Sequence, residues 1–224
     1  AQQRIYVCEG FRYDVHEVRS TDDIVFSADG LELSIGDLDT YELDDIDSIT
    51  FAEPQFPRVD IRFDGASATV NVGAGVKGVT YKVQGANVTL TSTTTSEEYL
   101  YSVSGTSTNG SLVINGEYKL SVELAGLTLT NPNGPAIDVE CGKRIGVILK
   151  EGTVNTLADG KGGTHKGAFY IEGHPEFEGG GTLNVTGNTK HAICAKEYLQ
   201  FKKSTGAVNI LGAVSDGIHC GKGK

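Results

Sequence analysis

Lys166 and Lys190 carry the most suggestive spacing in the chain. Each stands two residues ahead of an Ala–apolar pair, Ala168-Phe169 and Ala192-Ile193, and they are 24 positions apart. If the chain coils with that period, the two ammonium groups stack. Stacked cations suit a linear polyanion that offers carboxylates at regular intervals, and Lys supplies compact, rotatable donors. His191 follows Lys190 at once, Lys196 and Tyr198 lie further round the same repeat, and His219 lies one repeat on. Tyr198 adds an aromatic face for a sugar ring. These six form the candidate ligand face; the plain alternative is a solvated surface on which Glu172 neutralises Lys196.

The candidate metal ligands are Asp216, Asp159 and Asp138. Asp159-Gly160 and Asp216-Gly217 stand in Gly-flanked turns, and Asp138 with Glu140 points outward from a neighbouring repeat. Ca2+ takes six to eight oxygens, which turn carbonyls beside a carboxylate can supply. An ordinary turn Asp that satisfies nearby amides is the alternative. The acidic run 37–47 has no EF-hand spacing and reads as a solvated β surface.

Catalytic motifs are missing. The chain has no Gly-x-Ser-x-Gly, no His-Glu-x-x-His and no phosphate loop. Glu176 and Glu178 flank Phe177 on one strand, about 7 Å apart, but Gln200 and Lys202 answer them one repeat on, as in a salt ladder. A lyase would need a Lys or Arg base beside Ca2+. Lys190 beside Asp216 could be so arranged, which keeps a lyase as the alternative to a non-enzymic binder.

These side chains need a scaffold, and composition constrains it. The 224 residues include 30 Gly, no Trp and no Met, with a net charge of −10. So much Gly argues against helices, whose interiors lose about 1 kcal/mol per Gly. No apolar run reaches the roughly 18 residues of a membrane span. Residues 1–64 hold 16 acids and 5 bases, whereas 131–224 hold 9 acids and 11 bases. No segment is basic enough for nucleic acid. Cys8, Cys141, Cys194 and Cys220 show neither CxxC nor zinc spacing and read as small buried residues.

Repeats set the architecture. Gly181-Thr-Leu-Asn-Val-Thr-Gly187 matches Gly206-Ala-Val-Asn-Ile-Leu-Gly212 at an offset of 25, and Ala136, Ala168 and Ala192 follow at 32 and 24. Inside each repeat apolar and polar residues alternate. Short alternating strands cannot bury one face alone, but stacked coils can. The expectation is an all-β chain: a right-handed parallel β-helix with three short strands per coil, preceded by a small β-hairpin module. Residues 1–57 form the acidic N-terminal module and 58–224 the β-helix, its strands starting near 66. The chain stops inside a coil at Gly221–Lys224, so this reading also expects a truncated solenoid. Nine residues past each Ala, Ile145, Phe177 and Phe201 should make an interior stack. Glu172 should lie over Lys196, and Glu178 over Lys202. Asn109-Gly110 and Asn115-Gly116 signal tight turns.

The succession Asn133–Val139, Val147–Gly160, Gly179–Gly187 and Ala213–Ile218 resembles the carbohydrate-binding, pectate-lyase-like β-helix family of anaerobic bacteria, over roughly 98–224. The segment ending Asp45-Ile-Asp-Ser-Ile-Thr-Phe51 resembles a short module at the start of secreted Bacteroidetes surface proteins. The resemblance implies a secreted or outer-surface protein, its signal peptide removed, that binds acidic polysaccharide such as polygalacturonate. It implies Ca2+ sites, with Asp216 favoured because Ser-Asp-Gly-Ile matches the family turn. It does not imply lyase activity. A structural or adhesion protein without a sugar site is the second alternative.

Overall fold

The computed structural model describes residues 3–19, 23–36, 39–161, 163 and 165–222. The chain divides into two units, Ala1–Phe56 and Pro57–Lys224. The first holds β1 (Gln3–Glu9), β2 (Arg12–Val18), β3 (Ile24–Phe26), β4 (Glu32–Ile35), β5 (Asp39–Glu42) and β6 (Ser48–Thr50). They form two antiparallel sheets, β2-β1-β6 and β3-β4-β5. Ile5, Val7 and Ile35 are buried together, with Val18, Tyr41, Ile46 and Ile49 packed around them. The sequence match between Tyr13–Val18 and Tyr41–Ile46 is not kept in structure. The first is strand β2, whereas the second breaks after Glu42 into a 3-10 turn, Leu43–Asp45. Asp44 and Asp45 are poor strand residues and account for the break. Asp39, Glu42, Asp44, Asp45 and Asp47 are exposed; Asp37 and Leu38 lie outside the described residues.

The second unit opens with β7 (Arg58–Asp64), β8 (Ser67–Val72), β9 (Val79–Gln84) and β10 (Asn87–Ser92). β8 runs antiparallel to β7, and β9 antiparallel to β10. Every later pairing in the unit is parallel. The strands that follow are β11 (Leu100–Ser107), β12 (Ser111–Gly116), β13 (Leu120–Asn131), β14 (Ile137–Glu140), β15 (Arg144–Leu149) and β16 (Val154–Asp159). Then come β17 (Gly167–Ile171), β18 (His174–Glu178), β19 (Thr182–Gly187), β20 (His191–Ala195), β21 (Gln200–Phe201), β22 (Ala207–Ala213) and β23 (Ile218–Cys220). They wind into a parallel β-solenoid of about five turns with three faces. The first face is β10-β12-β14-β17-β20-β23 and the second β7-β11-β13-β15-β18-β21. The third runs from the far half of β13 through β16, β19 and β22.

Alternation explains the core. On the first face Val88, Leu112, Ile137, Phe169, Ile193 and Ile218 share one column. On the second, Val59, Tyr101, Val122, Val147, Phe177 and Phe201 do. Phe177 and Phe201 therefore stack as expected, but Val147, not Ile145, lies under Phe177; Ile145 shares a rung with Leu120 and Pro175. The bend from β14 to β15 (141–143) is longer than that from β17 to β18 (172–173), which shifts the register. The strands of this unit begin at Arg58 rather than near 66, and Asn115-Gly116 lies within β12 rather than in a turn.

Two features of the third face bear on the repeats. Asn155 is fully buried between coils; its Oδ1 accepts the Gly126 and Leu127 N–H groups (both 2.9 Å) and its amide donates to Thr182 O (3.1 Å). A buried amide so satisfied costs little. Gly181 and Gly206 explain their own offset of 25: a Cβ would lie 2.4 Å from Lys150 O at the first and 2.2 Å from Gly181 O at the second. Successive coils approach too closely there for any side chain.

Candidate functional site

The first face positions the candidate side chains. Inward residues of β14, β17, β20 and β23 fill the core, so their alternates point out and stack across coils. One outward column reads Asp138, Tyr170, Cys194, His219. The Lys166 carbonyl accepts the His191 N–H and the Lys190 carbonyl accepts the Ser215 N–H, which stacks positions 166 and 190 at the start of the strands. The expected Lys166–Lys190 column is therefore present in the backbone. Lys166 is exposed and Lys190 half-buried, and among the described residues neither pairs with a carboxylate.

The lysines at the other end of the strands differ. Lys196 pairs with Glu172, which also accepts the Tyr170 hydroxyl (2.8 Å). Lys202 reaches Glu178 (3.3 Å) and Lys222 reaches Glu197 (2.7 Å). The Lys196 ammonium holds the Glu172 carboxyl below its usual range, and Glu172 raises Lys196 in return. Burial raises the Tyr170 phenol, and its bond to Glu172 adds to that. Tyr198 stacks on His174, with centroids 4.6 Å apart and planes at 21°. The candidate ligand face is therefore split. Lys166, Lys190, His191 and His219 come together with Asp216, whereas Lys196 and Tyr198 sit beyond the far end of β20.

His191 opens β20 and is 2 % exposed. Asp216 lies in the bend before β23, and its Oδ2 is 3.3 Å from His191 Nδ1 and 3.0 Å from His219 Nδ1. The two imidazoles stack, 4.3 Å apart at 10°. Burial lowers the His191 pKa, as do the neighbouring His219 and Lys190, while Asp216 works the other way. Burial raises the Cys194 thiol, the His219 ladder partner.

Asp138 lies in a second group. His165 Nδ1 is 2.9 Å from Asp138 Oδ2 and 3.3 Å from Glu140 Oε1, and its ring stacks on Tyr170 at 4.1 Å. Asp138 Oδ1 is buried without a hydrogen-bond partner. Burial pushes the Asp138 pKa up to about 6; His165 opposes the rise and Glu140 adds to it. Sequence reasoning missed His165 and Tyr170. The one available signal was the interval of 32 between Ala136 and Ala168, which marks a coil with extra residues, and His165 is one of them.

Asp159 has another task. It is 2 % exposed, and its carboxylate accepts the Asn188 and Thr189 N–H groups of the next coil. Thr189 Oγ1 donates to Gly160 O (2.6 Å) and Asn188 Nδ2 to Asp159 O (2.8 Å). These four bonds fix the turn that delivers Lys190 and His191. With both oxygens spent on amides, Asp159 leaves the metal set. Asp216 fits Ca2+ poorly too, because its partners are imidazoles and Ca2+ prefers oxygen. Asp138 with Glu140 fits better: two carboxylates converge there, and one buried oxygen lacks a partner.

The family model for carbohydrate-binding domain-containing proteins matches residues 84–223, more than half the chain. The chain belongs to that family. In this carbohydrate-binding domain the match spans β10 to β23, the coils that carry every candidate side chain. A solved polysaccharide lyase-like protein from C. thermocellum, studied as a gadolinium derivative, is similar in fold at 21% identity and a TM-score of 0.54. The alignment covers 65% of this chain and 58% of that one, so the chain spans little more than half of that relative. No curated protein matches.

Proposed function

We propose that the domain binds an anionic polysaccharide of the polygalacturonate type without cleaving it. The Lys166–Lys190 column, which pairs with no carboxylate among the described residues, carries this reading. Lys196, Lys202 and Lys222 are spent on carboxylates, while these two keep their charge for a ligand. A polysaccharide lying along the solenoid axis meets one ammonium per coil, about 4.8 Å apart. His219 flanks the column with a half-exposed ring, and Tyr198 offers a second contact further round the coil. Ca2+ would be held by Asp138 and Glu140, where it would neutralise carboxylates and let an acidic sugar approach. Such ligands are met outside the cell, so the reading includes secretion or display on the outer surface.

The test is retention of the protein by polygalacturonate in affinity electrophoresis, with and without Ca2+, against neutral cellulose as control. Binding to the acidic polymer that weakens with salt is the expected outcome. No retention under either condition overturns the reading and favours a structural surface protein. The lyase-like fold of the C. thermocellum relative motivates one parallel measurement. Ultraviolet absorbance of unsaturated uronate should stay flat; a rise would assign a lyase.

A further inference from the structure

Asp216 was grouped with Ca2+ by its turn sequence, but its surroundings point elsewhere. The donors that converge there are two imidazole nitrogens and one carboxylate oxygen, all within 4.8 Å of one another. Imidazole suits borderline ions such as Zn2+, whereas Ca2+ wants oxygen throughout. The spacing agrees. Tetrahedral Zn2+ with bonds of about 2.0–2.1 Å has donor–donor edges of roughly 3.3–3.4 Å. The two edges to Asp216 Oδ2 are 3.3 and 3.0 Å.

A second observation concerns His191 alone. It is 2 % exposed, and both polar contacts of its ring are to Asp216. The Asp216 backbone N–H donates to Nδ1 (3.3 Å), so Nδ1 holds a lone pair in that tautomer. Asp216 Oδ2 faces the same nitrogen at 3.3 Å. A cation held between Nδ1 and Oδ2 would replace the long N–H contact on the single Nδ1 lone pair. His191 is held by the turn clamped by Asp159, whereas the half-exposed His219 ring has to turn out of its parallel stack on His191 for both lone pairs to meet one ion. Asp216 and His219 are about half exposed, 52% and 43% at their side chains, so an ion can enter from solvent and keep an open position. Lys190 repels a cation here, which weakens binding without changing the donor set.

We infer that His191, Asp216 and His219 form a binding site for a borderline divalent cation of the Zn2+ type. The site is separate from the oxygen-rich Asp138–Glu140 pair and does not depend on sugar binding.

The experiment is a CoCl2 titration of the metal-stripped 224-residue chain, followed by the visible absorption of four-coordinate Co2+. Expected are a saturable band, its loss on adding ZnCl2, and its persistence in about hundredfold excess CaCl2. His219→Ala and Asp216→Asn should each weaken Co2+ binding by at least about tenfold, since changes even one shell removed from a metal cost 10–100-fold. His165→Ala, at the other cluster, should leave the band unchanged. Both altered positions are partly exposed, and far-UV circular dichroism without metal checks that each variant folds. Absence of a band in the parent protein overturns the inference. So does an unchanged affinity in whichever of the two variants folds, or displacement by CaCl2.

Discussion

The two ends of strand β20 teach different lessons from similar residues. At its far end Lys196 meets Glu172 one coil away, and Glu172 also takes the Tyr170 hydroxyl. At its near end Lys190 has no such partner among the described residues, and the turn before it is fixed by Asp159. Cross-coil pairing spends charge on register. A lysine left out of the ladder, behind a turn held by four hydrogen bonds, is a charge kept in place for something else. On the proposed reading, the unpaired end is the binding edge.

Four measurements sharpen or break the contrast. The largest effect should come from Phe177→Ala, which empties a core column serving both ends. A loss of about 3–5 kcal/mol in urea unfolding is expected, and a smaller loss would mean the coils collapse around the gap. Asp159→Ala should cost about 2–4 kcal/mol, because two turn amides lose a nearly buried acceptor, and should also abolish polygalacturonate retention. Normal retention in a destabilised protein would show that the clamp does not organise the near end. Next, the double variant Lys166→Ala/Lys190→Ala should lose about tenfold in affinity for polygalacturonate, the range for charged hydrogen bonds, with melting unchanged. Lys196→Ala should bind like the parent; if it loses as much, the two ends are equivalent and the contrast fails.

The smallest effect is a pH dependence at the far end. The Glu172 pKa is lowered in the folded chain, first by its bond to Lys196. A lowered carboxyl stabilises above its unfolded pKa, and that contribution fades as pH falls through the folded value. The melting-temperature difference between the parent and Glu172→Gln should therefore shrink on acidification below the ordinary Glu range. Because the pair is largely solvated, the difference is small throughout. A difference that grows in acid contradicts the pairing.

The repeat spacing made the coils legible. The same register put Glu172 over Lys196 and Glu178 over Lys202, and both pairs are present. Asn184 and Asn209, matched in sequence, also share a hydrogen bond (2.9 Å). Register was lost where turn lengths differ. Ile137 to Val147 is ten residues, but Phe169 to Phe177 is eight, so counting from Ala136 selected Ile145. A period fixes coil pitch, while each corner sets its own phase. The candidate site was legible in its members but not in its grouping. Nothing in the spacing of Asp216, His191 and His219 says that one carboxylate oxygen reaches both rings. Asp159 shows the reverse: its turn was recognised, but its amide partners, Asn188 and Thr189, belong to another coil.

The antiparallel strands β8 and β9 have a consequence for self-association. An exposed parallel coil is a template for the coil of another molecule, because its unpaired amides and carbonyls match a strand running the same way. Here the outermost strands on the side of the first coil run against the solenoid. A coil of a second molecule arriving there meets strands that run against its own, so it can add only by antiparallel pairing, and the parallel stack does not continue across that end.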